Sequence, residues 1–176
     1  MRVLHIFDFD DTLVRSDSSV VVDHEDGSKS VLSSEEYAKY KKLPGDTMDY
    51  SEFDRYPINP EIIESVFSEL LNSISSDGLD SVVVLTARAN IAPVEKFFED
   101  NGVSGLSVTG TGSSDPMDKA LFVLNKINSG SYSMVRVFED NVKNIRTIRR
   151  VVNKDGTVKI QTNRVSNGRI VNSVTS

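Results

Sequence analysis

The strongest constraint on how this chain folds is an alternation. Short, nearly unbroken apolar runs at residues 2–8, 81–86, 105–109, 134–138 and 157–162 are separated by segments whose apolar residues recur at helical spacing. Runs of that length without polar alternation predict strands covered on both faces, as in a parallel sheet. Residues 60–74 place Ile62, Ile63, Val66, Phe67, Leu70, Leu71 and Ile74 on one helical face, with Asn59 as N-cap and Pro60 at the first helical position. Further helices are predicted over 92–101, which stops at Asn101-Gly102, over 116–128 and over 141–152. The pattern predicts a doubly wound α/β fold with a mainly parallel five-stranded, Rossmann-like sheet, forming a single domain over residues 1–176. In such sheets the ligand site lies beyond the carboxyl ends of the strands.

Residues 14–59 interrupt the alternation. Residues 19–32 read as a β-hairpin turning at Asp26-Gly27. Ser33 and Glu36 form a capping box that opens a short helix over EEYAKYKK, and Pro44-Gly45 ends it. Residues 45–59 read as loop. The whole stretch is expected to be a flap and small cap inserted after the first strand. Asn167-Gly168 is a second turn signal, so residues 163–176 are expected to form a C-terminal hairpin or a flexible, frayed tail.

Composition excludes several classes. The 176 residues include no cysteine, which removes disulfides, thiolate metal sites and cysteine nucleophiles. No apolar run approaches a bilayer span. The N-terminus, MRVLHIFDFDD, lacks the apolar stretch of a signal peptide. The expectation is a cytoplasmic protein without membrane association. The net charge of −6 is unevenly spread. From Lys143 onward, Lys143, Arg146, Arg149, Arg150, Lys154, Lys159, Arg164 and Arg169 face one acid, Asp155. Eight bases against one acid give this part +7 and the rest of the chain −13. Two readings stand: a surface for a polyanion, or a solvated helix face followed by a tail.

The chemistry gathers at strand ends. Asp8, Asp10 and Asp11 follow the first run in VLHIFDFDDTL. Asp8 and Asp10 lie two residues apart, so in extended chain they point the same way. Converging carboxylates repel, and desolvation raises the cost. A hard divalent cation such as Mg²⁺ removes that cost. The alternative is a turn whose acids cap backbone N–H groups. Glu139 and Asp140 end a later strand, MVRVFED, so four carboxylates stand at strand ends, which packing alone does not require. Thr86 ends the second apolar run in VVVLTAR and reads as a strand-end cap or an anion contact. Lys119 opens the helix after TGTGSSDPMD, either solvated or aimed at the acids. Gly110-Thr111-Gly112 is no dinucleotide fingerprint, because the third glycine is missing. His5 reads as a core residue and His24 as solvated.

The order hhhhDxDxT, hhhT, K, hhhED, with h apolar, resembles the haloacid dehalogenase (HAD) superfamily of phosphohydrolases, and is similar to its small phage-type members. The matching residues run from Val3 to Asn144. The resemblance implies Asp8 as nucleophile and Asp10 as proton shuttle. It implies Mg²⁺ held by Asp8, Asp140 and the backbone carbonyl of Asp10, with direct ligation by Glu139 left open. Thr86, the backbone N–H of Ala87 and Lys119 would hold the phosphate. Thr12 would orient Asp10. Asn144 stands where the family usually has an acid and would be a supporting residue, a departure that weakens the outer metal shell without abolishing it. Arg88 reads as a surface or supporting residue beside the substrate, and Asp11 as a turn residue.

The expected function is therefore a Mg²⁺-dependent phosphomonoester hydrolase working through an aspartyl-phosphate. Its expected substrate is a phosphorylated small molecule or nucleotide. The alternative is a nucleic-acid end, as for a 3′-phosphatase, because the cap is small and the basic stripe Lys143, Arg146, Arg149, Arg150 begins at the metal motif. A phosphoacceptor receiver domain is excluded by motif order, since Lys119 precedes Glu139-Asp140. A catalytically idle interaction protein has no reason to retain Asp8, Asp10, Lys119 and Asp140 together.

Overall fold

The five apolar runs become strands of one sheet, four of them inner. A computed structural model describes residues 2–153 and 156–176; Lys154 and Asp155 of the basic tail lie outside the described residues. Along the chain run β1 (Val3–Phe7), β2 (Val14–Arg15), β3 (Ser19–Asp23), β4 (Lys29–Ser33), α1 (Ser34–Lys39), β5 (Thr47–Asp49), a 3-10 turn (Ser51–Asp54) and β6 (Glu61–Ile62). Then come α2 (Glu64–Asp77), β7 (Val82–Thr86), α3 (Ala92–Asp100), β8 (Ser107–Gly110), α4 (Pro116–Ser129), β9 (Met134–Glu139), α5 (Val142–Val152), β10 (Lys159–Ser166) and β11 (Arg169–Thr175). The main sheet has six strands in the order β11-β10-β9-β1-β7-β8. All neighbours are parallel except β10 and β11.

Period-two alternation sends β1 to both faces. Leu4 and Ile6 pack with Val83, Val137, Val123 of α4 and Ile148 of α5. Phe7 packs with Val84, Leu70 of α2 and Phe97 of α3, and stacks on Phe138 at 4.6 Å between ring centroids. Helices thus cover both faces of the sheet. The chain runs outward from β1 to β7 and β8, then crosses back through α4 to β9 on the other side of β1. That reversal makes the crevice at the ends of β9, β1 and β7 a topological switch point.

The insertion folds as a small cap. Its neck is the antiparallel pair β2–β6, where the chain leaves and rejoins the domain. Its body is a three-stranded sheet in the order β4-β3-β5, with the hairpin turning at residues 24–28. The capping box at Ser33 and Glu36 opens α1. Far from being solvated, His24 is wired into the cap: Nδ1 meets Asp46 Oδ1 at 2.8 Å and Nε2 meets Ser30 Oγ at 2.7 Å. Tyr40 Oη donates to Asp46 Oδ2 at 2.6 Å, and the Leu43 N–H donates at 2.8 Å. These donors, Tyr40 foremost, hold the Asp46 carboxyl down to about 2.

Several expectations are corrected. The sheet has six strands, because residues 163–176 continue β10 and form an antiparallel edge strand. Its end is not frayed: Ser176 exchanges both backbone hydrogen bonds with Ile160, at 2.9 and 3.0 Å. The second helix starts at Glu64, since Glu61 and Ile62 pair with the neck strand instead. Asn59 is in the left-handed region at φ +46° and caps nothing. Residues 45–59 are more than loop, because β5 and the 3-10 turn close the cap. His5 is buried in β1 as expected, bonded through Nε2 to Asp77 at 2.9 Å. No helix among the described residues is long and apolar enough to cross a membrane.

Candidate active site

The sheet's alternation decides where the acids point. Leu4 and Ile6 face α4, so Asp8 does too, and its backbone N–H still pairs with Phe138 O at 3.0 Å. Glu139 follows Val135 and Val137 onto the same side. Lys119, in the first turns of α4, reaches both: Nζ lies 2.7 Å from Asp8 Oδ1 and 2.9 Å from Glu139 Oε2. All three side chains are buried. Lys126 lies in the last turn of the same helix, away from this contact.

Thr12 joins the two strand ends. Its Oγ1 lies 3.0 Å from Asp8 Oδ2 and 3.3 Å from Asp140 Oδ1, and accepts from the Asp140 N–H at 3.1 Å. One hydroxyl carries one proton, so the two carboxylates compete for it. Thr12 therefore orients Asp8 and Asp140, whereas the resemblance assigned it to Asp10. Glu139 Oε1 accepts the Asn141 N–H at 3.0 Å. One oxygen from each of Asp8, Glu139 and Asp140 lies within 4.8 Å of the others.

Asp10 is held by Arg88, which the sequence left as either a surface or a supporting residue. Arg88 Nε and Nη2 donate to its two oxygens at 2.9 and 2.8 Å, a bidentate clamp. Arg88 is itself buried, with its guanidinium 5.3 Å from the Phe9 ring centroid and 5.1 Å from that of Phe53. Its Nη1 donates to Phe53 O and Arg55 O, both at 3.1 Å. Nothing local in LTAR announces this role; only the fold brings β7 beside β1. Gly110 makes the clamp fit, since a Cβ there would lie 2.2 Å from Arg88 O.

Thr86 is buried at the end of β7, and its Oγ1 accepts the Arg88 N–H at 3.3 Å. Ala87 is exposed beside it. Asn144 is buried in the first turn of α5, and among the described residues its side chain has no hydrogen-bond partner. Asp11 has φ +62° and accepts the Ser34 hydroxyl, so it is tied to the cap as well as turning the chain. On α5, Lys143, Arg146 and Arg150 are exposed, but Arg149 turns inward, donating to Thr162 Oγ1 at 3.0 Å and Val174 O at 3.1 Å. The basic stripe is therefore three residues on this helix.

The site is short of positive charge. Four carboxylates, Asp8, Asp10, Glu139 and Asp140, face two cations, Lys119 and Arg88. Burial, then the Asp8 charge, pushes the Glu139 carboxyl up. Burial, then Glu139 and Asp8, pushes Asp140 well above the ordinary carboxylate range. Burial also raises Asp10 against the pull of Arg88. Burial disfavours the Lys119 ammonium, but Asp8 and Glu139 together outweigh it and its pKa rises. A buried cluster with two surplus negative charges suits a hard divalent cation with oxygen ligands.

No family model matches this chain, and no curated protein or solved structure is detectably similar to it.

Proposed function

We propose that this chain is a HAD-like phosphomonoester hydrolase with Asp8 as its nucleophile. What supports the reading most is one juxtaposition: a buried lysine bonded to an aspartate at the end of the central strand, with Asp10, Thr86 and Asp140 at the ends of that strand and its two neighbours. The fold class and switch-point location agree with this but carry no chemistry by themselves.

In the proposed reaction an Asp8 oxygen attacks phosphorus, the bond to the leaving oxygen breaks, and Asp10 gives that oxygen a proton. Asp10 then takes a proton from water as the water attacks the phosphorus, releasing phosphate and free Asp8. The Arg88 clamp fixes the direction of the Asp10 carboxyl. Burial raises the Asp10 carboxyl against the clamp's preference for the ionised form. Lys119 and the Thr86 hydroxyl would hold phosphate oxygens. Asp8 and Asp140, with Glu139 adjacent, would hold a Mg²⁺ ion, which when bound neutralises charge between carboxylate and phosphate. Both Glu139 oxygens already have partners, so it is better placed to hold Lys119 than to ligate.

The test is hydrolysis of p-nitrophenyl phosphate with Mg²⁺ and with a chelator, beside Asp8→Asn and Asp10→Asn. Mg²⁺-dependent turnover that Asp8→Asn abolishes is expected. Inactivity over a broad phosphate panel, or undiminished turnover in Asp8→Asn, would refute the proposal. A nucleic-acid end remains the second reading, favoured by Lys143, Arg146 and Arg150, which have no carboxylate partner among the described residues. It predicts a rate on a 3′-phosphorylated oligonucleotide that falls steeply with salt, while the rate on p-nitrophenyl phosphate does not.

A further inference from the structure

We infer that the substrate carries its phosphate on a nucleoside, and that the base stacks on the Tyr37–Tyr50 pair of the cap. This rests on the phosphohydrolase reading and names the substrate class of the same site. The basis is a closed circuit of contacts that stands over Asp10 and Asp11. One foot is Asp11, a non-glycine residue held at φ +62°, which accepts the hydroxyl of Ser34 at the first position of α1. Backbone in that region is costly for an aspartate and persists only where the surroundings hold it.

Tyr37 lies three residues along α1, about 4.5 Å up the axis. Its hydroxyl meets that of Tyr50 at 2.6 Å, and the two rings pack edge to face with centroids 5.6 Å apart. Tyr50 in turn starts the 3-10 turn, its carbonyl accepting the Phe53 N–H at 2.8 Å. Phe53 lies against Arg88, and Arg88 clasps Asp10. The second foot of the arch is therefore Asp10, and the tyrosine pair is its crown.

Tyr50 is the exposed aromatic side chain among the described residues, while Tyr37 is half-buried like several others. Phe7, Phe9, Phe97, Phe98 and Phe138 are fully buried, whereas Tyr50 is 44% exposed. Core packing does not account for it. Tyr50 and Tyr37 are bonded to each other, which fixes the half-buried Tyr37 ring edge to face against Tyr50 and leaves part of Tyr50 open. Burial, then the neighbouring Tyr37, pushes the Tyr50 phenol up to about 12, so it presents a neutral ring at neutral pH and does not repel a phosphate monoester. An exposed aromatic ring joined by this circuit of contacts to Asp10 suits a planar base, whereas a sugar phosphate offers no π face to it.

The experiment compares AMP with ribose 5-phosphate, which share the phosphate and sugar and differ in the base. We expect kcat/KM to favour AMP, and Tyr50→Ala to lower the AMP to ribose 5-phosphate ratio by about 5- to 150-fold. Tyr50→Phe, which keeps the ring, restores most of that ratio. Calorimetry on Asp8→Asn gives a readout independent of turnover: AMP binds more tightly than ribose 5-phosphate, and Tyr50→Ala in that background removes the difference. Equal efficiency on the two phosphates, a Tyr50→Ala variant with the ratio unchanged, or no AMP binding by calorimetry would each overturn the inference. Base-dependent AMP binding in a protein inactive on every phosphate would strike the hydrolase reading and leave the stacking surface standing.

Discussion

Replacing Asp140 by Asn should stabilise the metal-free protein and remove its response to Mg²⁺. The carboxylates of Asp8, Glu139 and Asp140 lie within 4.8 Å of one another. At that separation, two unit charges repel by about 3.5 kcal/mol at an effective dielectric constant of about 20. Asp140 takes part in two such pairs. Lys119 offsets some of that repulsion, and so does proton uptake by carboxyls whose pKa values are raised. The net relief on neutralising Asp140 is then about 1–3 kcal/mol. Asparagine keeps the oxygen that meets Thr12, so no hydrogen bond need be lost. A chain of this size gains about 2–4 °C in Tm per kcal/mol. The assay is thermal unfolding in chelator and across a Mg²⁺ titration. Wild type should gain about 2.7 kcal/mol at a hundredfold excess over its Kd. Asp140→Asn should start higher in chelator and stay flat. A variant that melts below wild type in chelator, together with a wild type indifferent to Mg²⁺, would refute the charge argument.

Three further outcomes are expected. Arg88→Met should lower kcat by about 100-fold or more, the scale of a misplaced acid–base group, with a smaller change in KM; a variant affecting KM alone would assign Arg88 to substrate binding rather than to Asp10. Gly110→Ala should destabilise the fold and impair turnover together, because the new methyl would lie 2.2 Å from Arg88 O; normal melting and turnover would show that the loop after β7 yields freely. The Asp46 carboxyl titrates in the cap at about 2, below its unfolded value near 3.9, so its contribution is complete above about pH 4 and is lost as the pH falls toward 2. The stability gap between wild type and Asp46→Asn, read by urea denaturation, should close across that window, and a pH-independent gap there would contradict the linkage.

Four inner strands were legible because they are covered on both faces, and continuous apolar runs such as VVVLT leave little else to be. The helix after Asn59-Pro60 began late because a good local start signal competed with pairing of Glu61 and Ile62 to β2, and the tertiary contact won. β11 was ambiguous because its side chains are mostly exposed, so RIVNSVT has no buried face to mark it. At the site, Asp8, Lys119, Glu139 and Asp140 were found from motif order and are brought into contact. Arg88 was read only as a surface or supporting residue, since a lone arginine two residues past a strand has no periodic signature. Its role depends on β7 lying beside β1, and on a glycine in β8 that lets the loop close down.

Covalent capture at Asp8 tests the central claim most directly. With p-nitrophenyl phosphate the leaving phenolate needs little protonation, so Asp10→Asn should still transfer the phosphoryl group to Asp8 but hydrolyse the adduct slowly. Quenching during turnover, reducing the acyl phosphate with borohydride and mapping peptides should find residue 8 converted to homoserine, more fully in Asp10→Asn than in wild type. Turnover with residue 8 unmodified in both proteins, and undiminished in Asp8→Asn, would contradict the account.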